Sequence, residues 1–168
     1  RSMDRDPKHL QYMLTRANGH KGSSFLEIYQ NCNIFNDGAF EIFTEKSSKA
    51  EETLFLEHGK PMIFGASQNK GIKLDGFKPV VVELGEGAST DDLWVHDERD
   101  FYKAQVLTRM FDNPNKEGGH FPRPFGVFFE TDRPCYEDVM AMQIEETIVT
   151  KGKGCSCGVG CISCCYRT

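Results

Sequence analysis

The chain reads as an α/β fold: the edge of a parallel sheet, followed by a smaller α+β portion. Three observations predict it. A helical pattern leads into Phe25-Leu-Glu-Ile-Tyr29, whose apolar residues do not alternate cleanly. A near-continuous apolar run is the mark of a strand covered on both faces, as in a parallel sheet. Further along, the period changes to short strands broken by Gly- and Pro-containing turns, the pattern of a small meander.

Asp6-Pro7 starts the first helix, with Asp6 as N-cap and Pro7 at its first position. Leu10, Met13, Leu14 and Ala17 follow the i, i+3, i+4, i+7 spacing of one buried face. Asn18-Gly19 ends it, as a left-handed terminal residue would. The buried strand then spans 23–30. Asn36-Asp37-Gly38 turns the chain into a short helix over 39–44. The stretch 45–52 is polar and reads as a solvated connection.

Strands are predicted at 53–57 and 62–65, about the turn His58-Gly-Lys-Pro61. A hairpin follows, 72–74 with 79–84, across Asp75-Gly76. Residues 92–96 make another short strand. A helix over 101–111 points Ala104, Leu107, Met110 and Phe111 inward. Residues 112–124 are loop-like, because Asn113-Pro-Asn, Gly118-Gly119 and two prolines break regular structure. A short strand covers 126–130. Pro134 opens a last helix with Tyr136, Val139, Met140, Gln143 and Ile144 on one face. From Lys151 the chain is Gly- and Cys-rich without periodicity.

With 168 residues and 39% hydrophobic content, the chain can build a modest core. Its net charge of −5, with acids and bases intermixed, leaves no footprint for nucleic acid or an anionic membrane. No apolar run has the length of a transmembrane helix, and no secretory signal opens the chain. Arg1-Ser-Met-Asp is an unusual start, so the chain reads as the C-terminal part of a longer polypeptide. Of seven cysteines, five crowd between Cys155 and Cys165. That is no disulfide scaffold, and a cytoplasmic location is expected.

Cys32 stands directly after the strand, where open α/β sheets hold their ligands. Two readings apply: a small buried thiol, or a metal or iron–sulfur ligand whose partners lie in other sequence. His9, His20, His58, His96 and His120 show no nucleophile arrangement, and surface or capping roles are expected for all. The pairs Glu51-Glu52, Asp91-Asp92 and Glu145-Glu146 read as solvated faces. Gly85-Glu-Gly87 is too short for a nucleotide loop. No residue is therefore assigned as catalytic or cofactor-binding. The tail Cys155-Ser-Cys-Gly-Val-Gly-Cys-Ile-Ser-Cys-Cys165 has thiolates for a soft ion such as Zn(II) or Cu(I). It also reads as a divergent or frame-shifted terminus without selected function.

The stretch Glu27-Ile-Tyr-Gln-Asn-Cys-Asn-Ile-Phe-Asn-Asp-Gly38 resembles the end of the thiamine-diphosphate domain in the beta subunit of 2-oxoacid:ferredoxin oxidoreductases, closest to the 2-oxoglutarate type. The similarity continues through Ala39-Phe-Glu-Ile-Phe-Thr-Glu-Lys46, Gly71-Ile-Lys-Leu-Asp75, Val95-His-Asp-Glu98 and Arg123-Pro-Phe-Gly-Val-Phe-Phe129. The resemblance implies a reaction of 2-oxoglutarate, coenzyme A and oxidised ferredoxin to succinyl-CoA, carbon dioxide and reduced ferredoxin. It implies thiamine diphosphate, Mg2+ and a 4Fe-4S cluster as cofactors, and an alpha subunit as partner. Cys32 aligns with the family's last cluster ligand and is the one metal-ligand candidate. The family's early CxxC pair and its third cluster cysteine, which would precede Cys32, and its Gly-Asp-Gly…Asn magnesium–diphosphate motif are absent from the sequence. The implied division is 1–44 as the end of the cofactor domain, 45–150 as the beta-subunit extension, and 151–168 as an unstructured tail. On this reading the chain alone is inactive. The alternatives are a non-catalytic subunit-interaction module and a small metal-binding protein acting through its tail.

Overall fold

A computed structural model describes residues 1–85, 88–112 and 119–153. It is a mixed α/β structure with small parallel sheets. Compactness divides it into two units: Arg1–His20 with Ser24–Thr131, and Lys21–Ser23 with Asp132–Thr168. The expected boundary between residues 44 and 45 rests on the resemblance alone.

The first unit begins with a parallel strand pair joined by a helix: β1 (Ser2–Met3), α1 (Pro7–Gly19) and β2 (Ile28–Tyr29). Ser2 pairs with Ile28 and Met3 with Tyr29. Asp6 caps α1, accepting the His9 N–H at 3.2 Å, with Pro7 in the first turn. Met13 is buried as expected, but Leu14 is half exposed. The left-handed ending expected at Gly19 is not there. His20 leaves the helix extended, and positive φ comes later, at Gly22.

The doubly covered strand over 23–30 is corrected. β2 is two residues long, only Tyr29 is buried, and Phe25 is 94% exposed. One short neighbour supplies few hydrogen bonds, and among the described residues no layer covers the side on which Phe25 stands. The helix predicted over 39–44 is the single turn α2 (Glu41–Thr44). The expected connection over 45–52 contains a further turn, α3 (Lys49–Glu52).

β3 (Thr53–Phe55) does not form a hairpin with the next strand. It pairs in parallel with β7 (Arg123–Phe125), Leu54 opposite Pro124. Proline is tolerated because the sheet has only two strands, so Pro124 needs no second ladder. The strand expected at 126–130 is thus displaced to 123–125. Gly126 sits at φ +131°, and a Cβ there would lie 2.9 Å from the Leu56 carbonyl oxygen. Glycine lets the chain cross that backbone so closely.

β4 (Ile63–Phe64), β5 (Lys70–Asp75) and β6 (Lys78–Glu83) form an antiparallel sheet. Its predicted hairpin is present, with a two-residue loop of Gly76-Phe77. Positive φ falls at Gly76 and not at Phe77, the arrangement of a type II′ turn. Residues 93–96 run beside it without forming a ladder, apart from an isolated bridge of Val95 with Pro61. The Trp94 N–H bonds the Ile72 carbonyl at 2.8 Å, and the Met62 N–H bonds the Trp94 carbonyl at 3.0 Å. α4 (Phe101–Thr108) is capped by Asp100 and buries Ala104 and Leu107. Met110 is also buried; Phe111, expected inside, is exposed. The main core joins Leu54, Met62, Ile72, Trp94, Leu107 and Met110.

The second unit holds α5 (Tyr136–Lys151). The predicted helix is present, but none of its residues is buried. The tail from 154 onward, with its five cysteines, lies outside the described residues.

Candidate functional site

Cys32 lies in a loop whose two ends meet in one aromatic cluster. Tyr29 closes β2 and stacks on Phe40 with ring centroids 4.5 Å apart. Phe43 and Phe125 complete the group, Phe125 standing edge-on to Tyr29 at 5.5 Å. The Arg123 guanidinium lies 4.0 Å from the Phe111 ring centroid and donates to the Tyr29 hydroxyl at 3.1 Å. A cation over an aromatic face is attracted by the ring quadrupole. The base of the loop is therefore fixed at both ends by packing.

Inside the loop, the Asn36 N–H bonds the Cys32 carbonyl at 2.9 Å, making a narrow bridge. Cys32 is a free, half-buried thiol. The nearby backbone N–H groups of Phe35, then Ile34, hold the thiol below its usual pKa. Nearby donors favour the thiolate, the form that ligates metals. Asn31 braces the loop from within. Its Nδ2 donates to Asn33 Oδ1 at 2.8 Å and to Asp37 Oδ1 at 3.0 Å, while its Oδ1 accepts the Gly38 N–H at 2.9 Å. Ile34 and Phe35 stand 83% and 88% exposed beside the thiol.

A free, half-buried thiol with a lowered pKa suits one thiolate ligand of an iron–sulfur group. It does not suit a complete site. Among the described residues, no cluster of three or more His, Cys, Asp or Glu donors includes Cys32. Nor does the sequence contain the Gly-Asp-Gly…Asn motif for magnesium and diphosphate.

The histidines are mostly structural. His96 is 1% exposed, its Nε2 bonding the Val127 carbonyl at 2.8 Å, so the surface role expected for it is corrected. Burial lowers its pKa. His58 accepts the Glu98 N–H at 3.2 Å, His20 faces Glu130, and His120 pairs with Glu52. A Ser–His contact that sequence reasoning missed joins Ser2 Oγ to His9 Nδ1 at 2.9 Å. Ser2 is fully buried, so no substrate reaches its hydroxyl. The contact forms only because β1 folds beside the first turn of α1, and no spacing in the sequence announces it. Arg16 joins Glu98 at 2.7 Å and also pairs with Glu130, tying α1 to the segments on either side of α4. A separate cleft of about 750 Å³ is lined by Lys46, Lys49, Lys60, Glu57 and Phe55 among others. Its lining carries charge but no cysteine, serine or histidine.

The segments that shared the family resemblance converge. Tyr29 and Phe43 both pack on Phe125, His96 bonds Val127, and Trp94 links the 93–96 stretch to Ile72. Residues 123–129 are the spine against which the loop's base and the 95–98 stretch are set.

The 2-oxoglutarate oxidoreductase subunit KorB of Mycobacterium tuberculosis (strain ATCC 25618 / H37Rv) is 31% identical over 146 residues, 86% of the chain. The chain spans 37% of that relative's length. No family model matches the chain, and no solved structure matches it.

Proposed function

Since the chain is a beta-subunit-like portion of a 2-oxoacid:ferredoxin oxidoreductase, we propose that it is the C-terminal part of a thiamine-diphosphate-dependent enzyme acting on 2-oxoglutarate. In this reading the whole enzyme converts 2-oxoglutarate and coenzyme A to succinyl-CoA and carbon dioxide and reduces ferredoxin. The identity to a 2-oxoglutarate oxidoreductase subunit over 86% of the chain carries the proposal.

Cys32 is then one ligand of a 4Fe-4S cluster. Such a cluster, when bound, accepts and releases single electrons. This chain's own contribution is to present a thiolate and to place Ile34 and Phe35 beside it. Thiamine diphosphate and its magnesium are held by residues outside this chain, which is inactive alone. An alpha subunit, ferredoxin and cytoplasmic residence complete the proposal. No helix among the described residues is long and apolar enough to cross a membrane.

The test is Cys32→Ser in the full-length subunit. Serine keeps the size but loses the soft ligand. Cluster iron, the low-temperature EPR signal of the reduced protein and ferredoxin reduction should all fall, while thiamine diphosphate still binds. Wild-type values for all three would return Cys32 to a plain thiol.

A second reading, a non-catalytic subunit-interaction module, is favoured by α5. Its Tyr136, Val139, Met140 and Ile144 are all exposed, as a helix awaiting a partner surface would have them.

A further inference from the structure

We propose that the cleft between α3 and strands β3 and β4 binds an organic diphosphate, with Lys46, Lys49 and Lys60 on the anion and an apolar floor under the rest of the molecule. The proposal does not rest on the Cys32 assignment and holds whether or not a cluster binds there.

The cleft lies within the first unit. α3 and the turn before it bring Lys49 and Lys46, β3 brings Phe55, the following turn brings Lys60, and β4 brings Ile63 and Phe64. Its volume is about 750 Å³. Small-molecule sites are clefts of about 300–1,000 Å³, mostly apolar, with a few polar groups that fix orientation. The chain as a whole is acidic, at −5. The cleft runs against that balance, since its lining sets three ammonium groups against one carboxylate, Glu57. An excess of one sign in a concave site focuses the field and attracts ligands of the other sign.

Lys49 is already positioned. Its Nζ donates to Asp6 Oδ2 at 3.0 Å and lies 5.5 Å from the Phe55 ring centroid. Asp6 engages one N–H of that ammonium group, which has others to give a ligand. Lys46 and Lys60 are exposed and make no ion pair among the described residues. Lysine is a point charge on a flexible stem, which suits the several oxygens of a diphosphate.

The floor has the opposite chemistry. Phe64 is buried, Pro61 and Ile63 are half-buried, and Phe55 is partly open to solvent. Gln68 closes one side in the left-handed region, at φ +51°, with its N–H and its Nε2 both bonding the Gly65 carbonyl at 3.0 Å. Backbone of that kind in a residue other than glycine persists only where its surroundings hold it, and it recurs at ligand clamps. An inorganic anion would use the lysines and leave the floor wet. A wholly apolar ligand would leave the ammonium groups without a counter-charge. A diphosphate carrying an organic group covers both.

The test is titration calorimetry on the full-length protein without magnesium, so that diphosphate binding that needs the metal does not contribute. The probes are ADP, isopentenyl diphosphate and pyrophosphate. At least one of the two organic diphosphates should bind about tenfold or more tighter than pyrophosphate, through the floor. Binding of ADP alone assigns a ring-bearing ligand, and binding of isopentenyl diphosphate alone an aliphatic one. Lys46→Gln with Lys60→Gln should weaken that binding about tenfold or more, and wild-type affinity should fall with added salt. Lys73→Gln with Lys78→Gln removes the same charge from the exposed side of the β5–β6 hairpin and should leave affinity unchanged. Circular dichroism should match the wild type in both double variants, because all four lysines are exposed. The proposal is overturned if neither organic diphosphate binds, if pyrophosphate binds as tightly as both, or if the Lys46 and Lys60 variant binds like the wild type. An equal loss in the Lys73 and Lys78 variant also overturns it, since the effect would then be one of net charge. None of these outcomes moves the cluster iron by which Cys32→Ser is judged.

Discussion

The main core and the Cys32 loop belong to one compact unit yet use apolar residues in opposite ways. Between β3 and β7 the chain buries Leu54, Leu107, Met110 and Phe125 completely. In the loop region, Phe25, Ile34 and Phe35 stand almost fully in solvent. An exposed apolar side chain contributes little to the chain's own stability, whereas a buried one contributes about 1.5–3 kcal/mol through removal from water. The core residues hold this unit together. The loop residues are free for a surface that the described chain does not supply. The comparison teaches that hydrophobicity alone does not locate the core; a covering layer does.

The sharpest way to break that contrast is a pair of alanine substitutions. Phe125→Ala should cost about 3–5 kcal/mol of unfolding free energy, because it empties a closed site between Tyr29 and Phe43. Phe35→Ala should change stability by no more than about 0.5 kcal/mol. Denaturant unfolding of the two proteins measures both. Equal losses would show that the loop is as much a part of the core as β7.

A smaller effect is expected from Arg16→Met. Glu98 is nearly buried, and Arg16 is its charged partner. Removing that partner leaves the carboxylate poorly compensated, at a cost of roughly 1–3 kcal/mol. Half-exposed Arg16 and Glu130 share the network with solvent, which keeps the loss below that of a fully buried pair. Adding Glu98→Gln to Arg16→Met should recover part of the loss, read as a partial return of the denaturation midpoint.

The smallest expected effect is a pH dependence that belongs to the core and not to the loop. Burial lowers the folded-state pKa of His96, with His9 shifted the same way for the same reason. The unfolded chain then binds protons more readily than the folded chain below the ordinary histidine value of about 6.5. Stability should therefore be complete above that pH and decline as pH falls through it toward the lowered folded value. Denaturation midpoints measured between pH 7.5 and 5 check the direction. A midpoint that rises on acidification would contradict the burial of His96.

Local chemistry made much of this protein legible in its sequence. Asp6-Pro7 starts a helix because a carboxylate caps free N–H groups and proline lacks one. Asp75-Gly76 turns a hairpin because glycine accepts positive φ. Pro134 stands just ahead of its helix, before the N-cap Cys135, and not in the first turn as Pro7 does. The long motif around Cys32 also marked the candidate site, since a thiol after a strand has few neighbours and a specific context. Tertiary structure decided what lay between distant residues. It set β3 beside β7 instead of β4, because a parallel pairing across some seventy residues leaves no turn signal to read. Register and layer coverage left Phe25 in water, although its strand reads as buried. Ser2 met His9, His96 found the Val127 carbonyl, and Asn31 closed over Asp37 and Gly38 by folding alone. Turns and caps are contests among a few adjacent atoms, which sequence specifies. Burial and side-chain partnership depend on which remote segment arrives, and only the packed chain determines that.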